Sequence, residues 1–277
     1  MRVISKRQRM MQYVLLVLAL IITLFPIFWI VMTSLKTSQE TMEYPPKIFP
    51  RSIQFGAYVS VWREKNFLLY FKNSTIVSLS TTLVCMLLST LAGYGFSRFN
   101  FRGSKTLFMF ILMTTMFPAV LMIIPYFLMM RTIGLLNTYL AYVLSYTSFS
   151  LPFATWMMKG FFDSIPREID ESGLVDGCNW FSAFWRLCVP ISGPGVASTA
   201  IYSFLLSWNH YLFALTLTTK QSRYMLPVGI ASLVGEFWVD WGVLMAASVV
   251  AMMPTIVFNI FMEKYLVRGM TAGAVKG

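Results

Sequence analysis

An all-α membrane fold crossing the bilayer six times is what this sequence predicts, on three observations. The 277-residue chain is 57% hydrophobic and 12% charged, where an ordinary soluble domain carries roughly 25% charged residues. Its mean hydropathy is +0.67. Its apolar residues gather into six stretches, near 14–35, 74–96, 107–128, 138–158, 196–217 and 243–262, each close to the ~20 residues that carry a helix across a ~30 Å hydrocarbon core. Inside lipid the backbone must satisfy its own hydrogen bonds, so these stretches read as helices. Alternation at period two is absent, which argues against a β-barrel.

The first stretch follows Arg2, Lys6, Arg7 and Arg9. It is too long for a signal peptide and ends without a small-x-small cleavage pattern, so it reads as a retained first helix. With the N-terminus inside, 13 Lys and Arg fall on the cytoplasmic side and 9 outside. That is the sign of the positive-inside rule, and the net charge of +11 is then mostly topology rather than a nucleic-acid footprint. The first outer segment, about 36–72, holds Tyr44-Pro45-Pro46-Lys47-Ile48-Phe49-Pro50, which no regular helix accommodates. Phe55, Tyr58, Val61 and Trp62 follow at helical spacing and predict a helix at the outer interface. Asn73-Ser74 are expected to cap the second crossing. Pro26, Pro118, Pro125, Pro152 and Pro254 fall within the predicted crossings. Each is read either as ordinary kinking of a membrane helix or as a hinge in a pore wall.

Polar residues concentrate on one predicted cytoplasmic loop, 159–195. Ser164-Ile165-Pro166 marks a helix start. Glu168, Asp170 and Glu171 sit in or beside its first turn, where the helix dipole favours anions. Gly177 suits the left-handed position that ends a helix. Asn179 is placed to cap a second helix, whose Trp180, Phe181, Phe184, Trp185 and Leu187 suit a membrane interface. A bare connector explains the charges but not 37 residues of capped structure.

Several function classes are disfavoured. The six stretches hold no Asp, Glu, Lys or Arg, whereas ion-coupled carriers ordinarily need buried carboxylates or charge pairs. No Gly-x4-Gly-Lys-Ser/Thr loop, His-Glu-x2-His motif or Gly-x-Ser-x-Gly elbow is present. The chain is therefore not expected to be an enzyme. Cys85, Cys178, Cys188 and the single histidine form no metal-ligand spacing. Trp208, Asn209 and His210 make one polar-aromatic group within the fifth stretch. An indole face and an amide suit a sugar ring, but helix–helix packing explains the same residues.

Taken with Glu171, Asp176, Gly177 and Pro190, the chain resembles the MalG-like inner-membrane permease subunits of maltose-type carbohydrate ABC importers. The resemblance covers nearly the whole chain. It is carried also by the ending Gly269-Met270-Thr271-Ala272-Gly273-Ala274-Val275-Lys276-Gly277, by the Pro45–Pro50 segment, by Asn73-Ser74 and Leu226-Pro227, and by Asp240-Trp241-Gly242. The usual Glu-Ala-Ala stands here as Glu171-Ser172-Gly173, and Cys178 follows the loop glycine. The resemblance implies the type I ABC importer permease fold, as one transmembrane domain over 1–277. It implies an ATP-driven sugar or oligosaccharide importer of the plasma (inner) membrane, with both termini cytoplasmic. The implied partners are a MalF-like second permease, two ATPase subunits holding the ATP and magnesium, an extracytoplasmic solute-binding protein, the sugar, and lipid. No cofactor is expected on this chain. Glu171, Ser172, Gly173, Asp176, Gly177 and Pro190 would dock an ATPase, and the tail from about 263, through Gly273, Ala274, Val275, Lys276 and Gly277, would reach between the ATPases. The alternatives are a stand-alone secondary carrier and an ABC permease for a non-sugar solute.

Overall fold

The computed structural model describes residues 6–64, 66–235 and 238–274, with side chains described up to Phe261. Helix dominates; among the described residues the β-type pairing is one isolated bridge, Val234 with Val239. The helices are α1 (Lys6–Ser34), α2 (Ser38–Thr41), α3 (Gly56–Glu64), α4 (Phe67–Arg98), α5 (Ser104–Met113), α6 (Ala119–Thr132), α7 (Tyr139–Asp163), α8 (Glu168–Val175), α9 (Trp180–Ala183), α10 (Val189–Ile191), α11 (Gly193–Trp208), α12 (Leu212–Thr216), α13 (Leu226–Ala231) and α14 (Trp241–Ala274). They gather into two compact units. One holds residues up to Phe67 with Ile230–Met253, the other Leu68–Gly229 with the chain from Pro254 onward.

In the first unit, α1 is apolar on all sides and its hydrophobic side chains from Met10 to Phe28 are exposed, as lipid contact requires. The outer segment that follows is folded by polar contacts. Thr37 and Glu40 form a reciprocal capping box on α2. Backbone N–H groups of Thr37 and Arg51 donate to the Glu40 carboxylate and hold it below the usual carboxylate range. Lys36 is buried, donating to the Lys47 carbonyl and lying over the Trp29 ring. The predicted interfacial helix is α3; Val61 is buried on it and Tyr58 bonds Ser34 at 2.8 Å. Asp240 caps α14 through the Val243 N–H at 3.1 Å.

The second unit has two polar ends joined by long helices. At one end the segment 217–226 is tied down. Asn73 Nδ2 donates to the carbonyls of Ser222 and Tyr224 at 3.1 and 2.9 Å. The Leu226 N–H donates to Ser74 Oγ at 2.7 Å, and Gln221 Nε2 donates to Tyr70 Oη at 2.9 Å. These contacts correct the expected role of Asn73 and Ser74. Helix α4 begins six residues earlier, at Phe67, because Phe67 and Tyr70 bury their rings and extend the helix past the sequence signal. The two side chains then serve the neighbouring loop instead of a cap. Asn137, with φ of 65°, accepts from Thr218 Oγ1, Thr219 N and Lys220 N at 2.8, 2.9 and 3.1 Å. Beneath them Tyr142, Tyr146, Met130, Phe213 and Leu217 form a buried cluster. At the other end Tyr94, Met158, Phe162, Ile165, Phe184 and Cys188 form a second.

Of the six predicted crossings, α1, α4 and α14 are continuous helices long and apolar enough to span a membrane. Two more are bent pairs rather than straight spans. Residues 104–116 meet α6 at 99°, and residues 180–191 meet α11 at 80°. The third stretch breaks where Thr114–Met116 tightens to a 3₁₀ turn and Phe117 turns extended ahead of Pro118, as a residue before proline must. The fourth stretch is α7. Its Tyr142, Ser145, Tyr146, Thr147, Ser150 and Thr155 are buried, so it is less apolar than a lone span while running between the two polar ends. The fifth stretch stops at Trp208 and resumes as α12.

Candidate functional site

The predicted polar loop folds as two short helices and a capped turn. Helix α8 begins after Pro166, with Arg167 at the cap position and no side-chain cap, two residues later than Ser164-Ile165-Pro166 implied. It ends as the sequence predicts. Gly177 has φ of +87°, its N–H donates to Leu174 O at 3.1 Å, and the Cys178 N–H donates to Gly173 O at 2.9 Å. This paired closure needs the left-handed glycine. Asn179 Oδ1 then accepts the Ser182 N–H at 2.8 Å and starts α9. Asn179→Ala is expected to cost about 1 kcal/mol, read as lowered thermal stability of the purified protein with insertion unchanged.

An ion pair that the sequence reading did not identify anchors α8. Arg98 Nε donates to Asp170 Oδ2 at 2.6 Å, and the two side chains are 3% and 1% exposed. The rest of the guanidinium donates to the carbonyls of Phe162 and Ile165, each at 3.0 Å. These are carbonyls at the end of α7 and just beyond it, where a cation is favoured. The other carboxylate oxygen of Asp170 accepts Tyr94 Oη at 2.7 Å and Cys188 Sγ at 2.9 Å. Asp170 was grouped with Glu168 and Glu171 as a first-turn acid. Helical spacing alone separates it from Glu171, since neighbours on a helix point about 100° apart. Nothing in the sequence pairs it with Arg98, 72 residues away.

The predicted docking residues divide by exposure. Glu171, Ser172, Asp176, Gly177 and Pro190 are exposed, and Gly173 is buried. A Cβ on Gly173 would meet Leu187 Cδ1 at 2.6 Å and Ala183 Cβ at 3.6 Å. The glycine that departs from Glu-Ala-Ala therefore lets α8 lie close on the 183–187 segment. Of the predicted tail, Gly273 and Ala274 continue α14 as helix, while Val275, Lys276 and Gly277 lie outside the described residues. The group Trp208, Asn209 and His210 lies at the break between α11 and α12. Trp208 is buried, stacked on Phe204 and edge-on to Phe71, with centroids 5.5 Å away in each case. Asn209 is exposed and its amide donates to Leu205 O at 2.9 Å. His210 stacks on Tyr146 at 4.9 Å. Among the described residues no cluster of His, Cys, Asp or Glu has metal-binding geometry.

Residues 85–272 match the family model for the binding-protein-dependent transport system inner membrane component. The chain belongs to that family. It is a permease subunit of an ABC importer. The permease is 35% identical over 264 residues to the inner membrane ABC transporter permease protein YcjP of Escherichia coli, covering 95% of this chain and 94% of that one. It is 32% identical over 278 residues to the trehalose/maltose transport system permease protein MalG of Thermococcus litoralis, covering 98% and 99%. Its fold matches a chain of a bacterial ABC transporter involved in the import of the acidic polysaccharide alginate. That match has a TM-score of 0.83 at 23% identity, over 96% of this chain and 99% of that one. In the permease, α8 thus offers an exposed carboxylate, Glu171, on a short helix whose packed face is pinned by a buried charge.

Proposed function

We propose that the permease forms, with a MalF-like second permease, the pathway of an ATP-driven importer for sugars or oligosaccharides. In this reading α8 and its flanking turn dock in one of two ATPase subunits, which hold the ATP and magnesium. An extracytoplasmic binding protein delivers the sugar to the end of the fold built around residues 217–226, and both termini are cytoplasmic. The observation that carries the reading is the construction of α8. It is eight residues long, closed by Gly177 and Asn179, buried through Asp170 and Gly173, and exposed at Glu171 and Asp176. Such a helix is held firmly on one face and free on the other, as a contact that passes force between subunits requires. A sugar as cargo is supported by the trehalose/maltose permease among the relatives. It is supported also by crossings without Asp or Glu, which suit neutral polyhydroxy solutes better than cations.

The test is Glu171→Lys in the complex isolated from its native membrane. The variant is expected to insert normally and to lose at least about tenfold of its co-purifying ATPase, because it reverses the charge at the centre of the exposed face. Full ATPase recovery together with normal maltose- or trehalose-stimulated ATP hydrolysis would remove α8 from the docking surface.

A further inference from the structure

We infer that the buried Arg98–Asp170 pair is a positioning device for transport: it binds α8 to the end of α4, so that displacement of α8 travels along one unbroken helix to the segment 217–226. This rests on α8 being the ATPase-docking helix.

Three observations lead there. First, α8 is too short to hold a conformation alone, and of its eight residues only Asp170 and Gly173 are buried. Its orientation is therefore set by the ion pair together with the close contact of Gly173 on the 183–187 segment and the packing of Ile169. Second, the pair is bonded on every side. Arg98 spends three nitrogens on Asp170, Phe162 O and Ile165 O, while Asp170 also accepts from Tyr94 and Cys188. An apolar contact of similar volume would stabilise the fold as well or better, but it would let α8 slide. Directional bonds to α4, α7 and the 184–188 segment fix α8 in angle as well as distance. Third, α4 is 32 residues long with no proline, about 48 Å at 1.5 Å per residue. Its far end, through Tyr70, Asn73 and Ser74, holds the segment 221–226 by the four bonds described above. The α5–α6 crossing bends by 99°, and α7 and α14 carry internal prolines. Helix α4 is the stiff rod that touches both polar ends.

The experiment places a reporter at the far end of the rod. Lys72 is exposed near the start of α4, and Cys85 and Cys188 are fully buried. Lys72→Cys in a Cys178→Ser background therefore gives one reactive thiol. The complete complex is reconstituted in lipid nanodiscs, which leave both faces open to solution, and labelled with a polar maleimide, with and without ATP and vanadate. Nucleotide is expected to change the labelling rate at least about fivefold. Adding Asp170→Asn should abolish that response while the ATPase subunits still co-purify and hydrolyse ATP. An unchanged response in Asp170→Asn, or no nucleotide response in the parent, overturns the inference and leaves α8 docking intact. Loss of the ATPase from Asp170→Asn also overturns it, because the pair would then serve attachment. Failure of the docking reading shows separately, as ATPase retained by Glu171→Lys. If Asp170→Asn does not accumulate, Arg98→Lys keeps the charge, loses the planar fork and is judged by the same outcomes.

Discussion

Arg98→Ala will be among the most damaging single substitutions in this chain. It leaves Asp170 as a buried carboxylate without its cation and strips donors from the Phe162 and Ile165 carbonyls. Breaking a buried pair in this way costs about 3–5 kcal/mol, several times the worth of an exposed pair such as Lys47–Glu43. The loss should appear as a lowered unfolding midpoint in detergent. Cys188, fully buried beside Asp170, should become open to alkylation at temperatures where the parent protein resists it. Asp170→Ala combined with Arg98→Ala should be less harmful than the two single losses added, since neither charge is then stranded. A cost below about 1 kcal/mol for Arg98→Ala would place the pair with surface ion pairs and contradict its burial.

Gly93→Ala should be the second large effect, and its neighbour on the same helix supplies the control. A Cβ on Gly93 would lie 2.7 Å from Met158 Cβ and 2.8 Å from the Lys159 backbone nitrogen. Backbone cannot yield as a side-chain tip can, so α4 and α7 would have to separate, at about 1–3 kcal/mol. Gly95 has nothing within 4 Å of the equivalent position. Gly95→Ala should instead gain about 0.5–1 kcal/mol from helix propensity. Opposite signs for two identical changes would locate the α4–α7 contact at Gly93. Equal effects would mean that the helices pack elsewhere.

The features legible in the sequence are those encoded over a few residues. The apolar stretches mark most of the helical segments, Gly177 and Asn179 mark the turn after α8, and the Glu171-to-Pro190 pattern marks the family. Features that depend on residues far apart in the chain were not legible. Arg98 looked like one more cytoplasmic positive charge, because its partner is reached only when α4 and α8 fold together. Asn73-Ser74 carried a true polar signal with the wrong assignment. Local rules read such a pair as a cap, while tertiary contact sends it to a loop about 150 residues away. Trp208 and Asn209 are adjacent in sequence, yet one is buried in an aromatic stack and the other exposed, since they flank the end of α11. The breaks at Thr114–Pro118 and at Asn209–Tyr211 were hidden because an apolar stretch gives length without giving straightness.

The first of those breaks bears on which side of the chain can touch lipid. Between α5 and α6 the helical ladder lapses from Thr114 to Pro118, and Thr114, Thr115, Met116 and Phe117 are all exposed on the chain itself. The threonine hydroxyls turn back onto Ile111 O and Leu112 O at 2.6 and 2.7 Å, which covers part of the lapse. Hydrocarbon cannot hydrogen-bond the remainder, and each unmet backbone group there costs several kcal/mol. The uniformly helical flank of α1 is suited to face acyl chains. The flank carrying the broken crossing must be sheltered by protein or wetted by water in the working assembly, so the bilayer itself decides which surface of the second unit cannot be left bare.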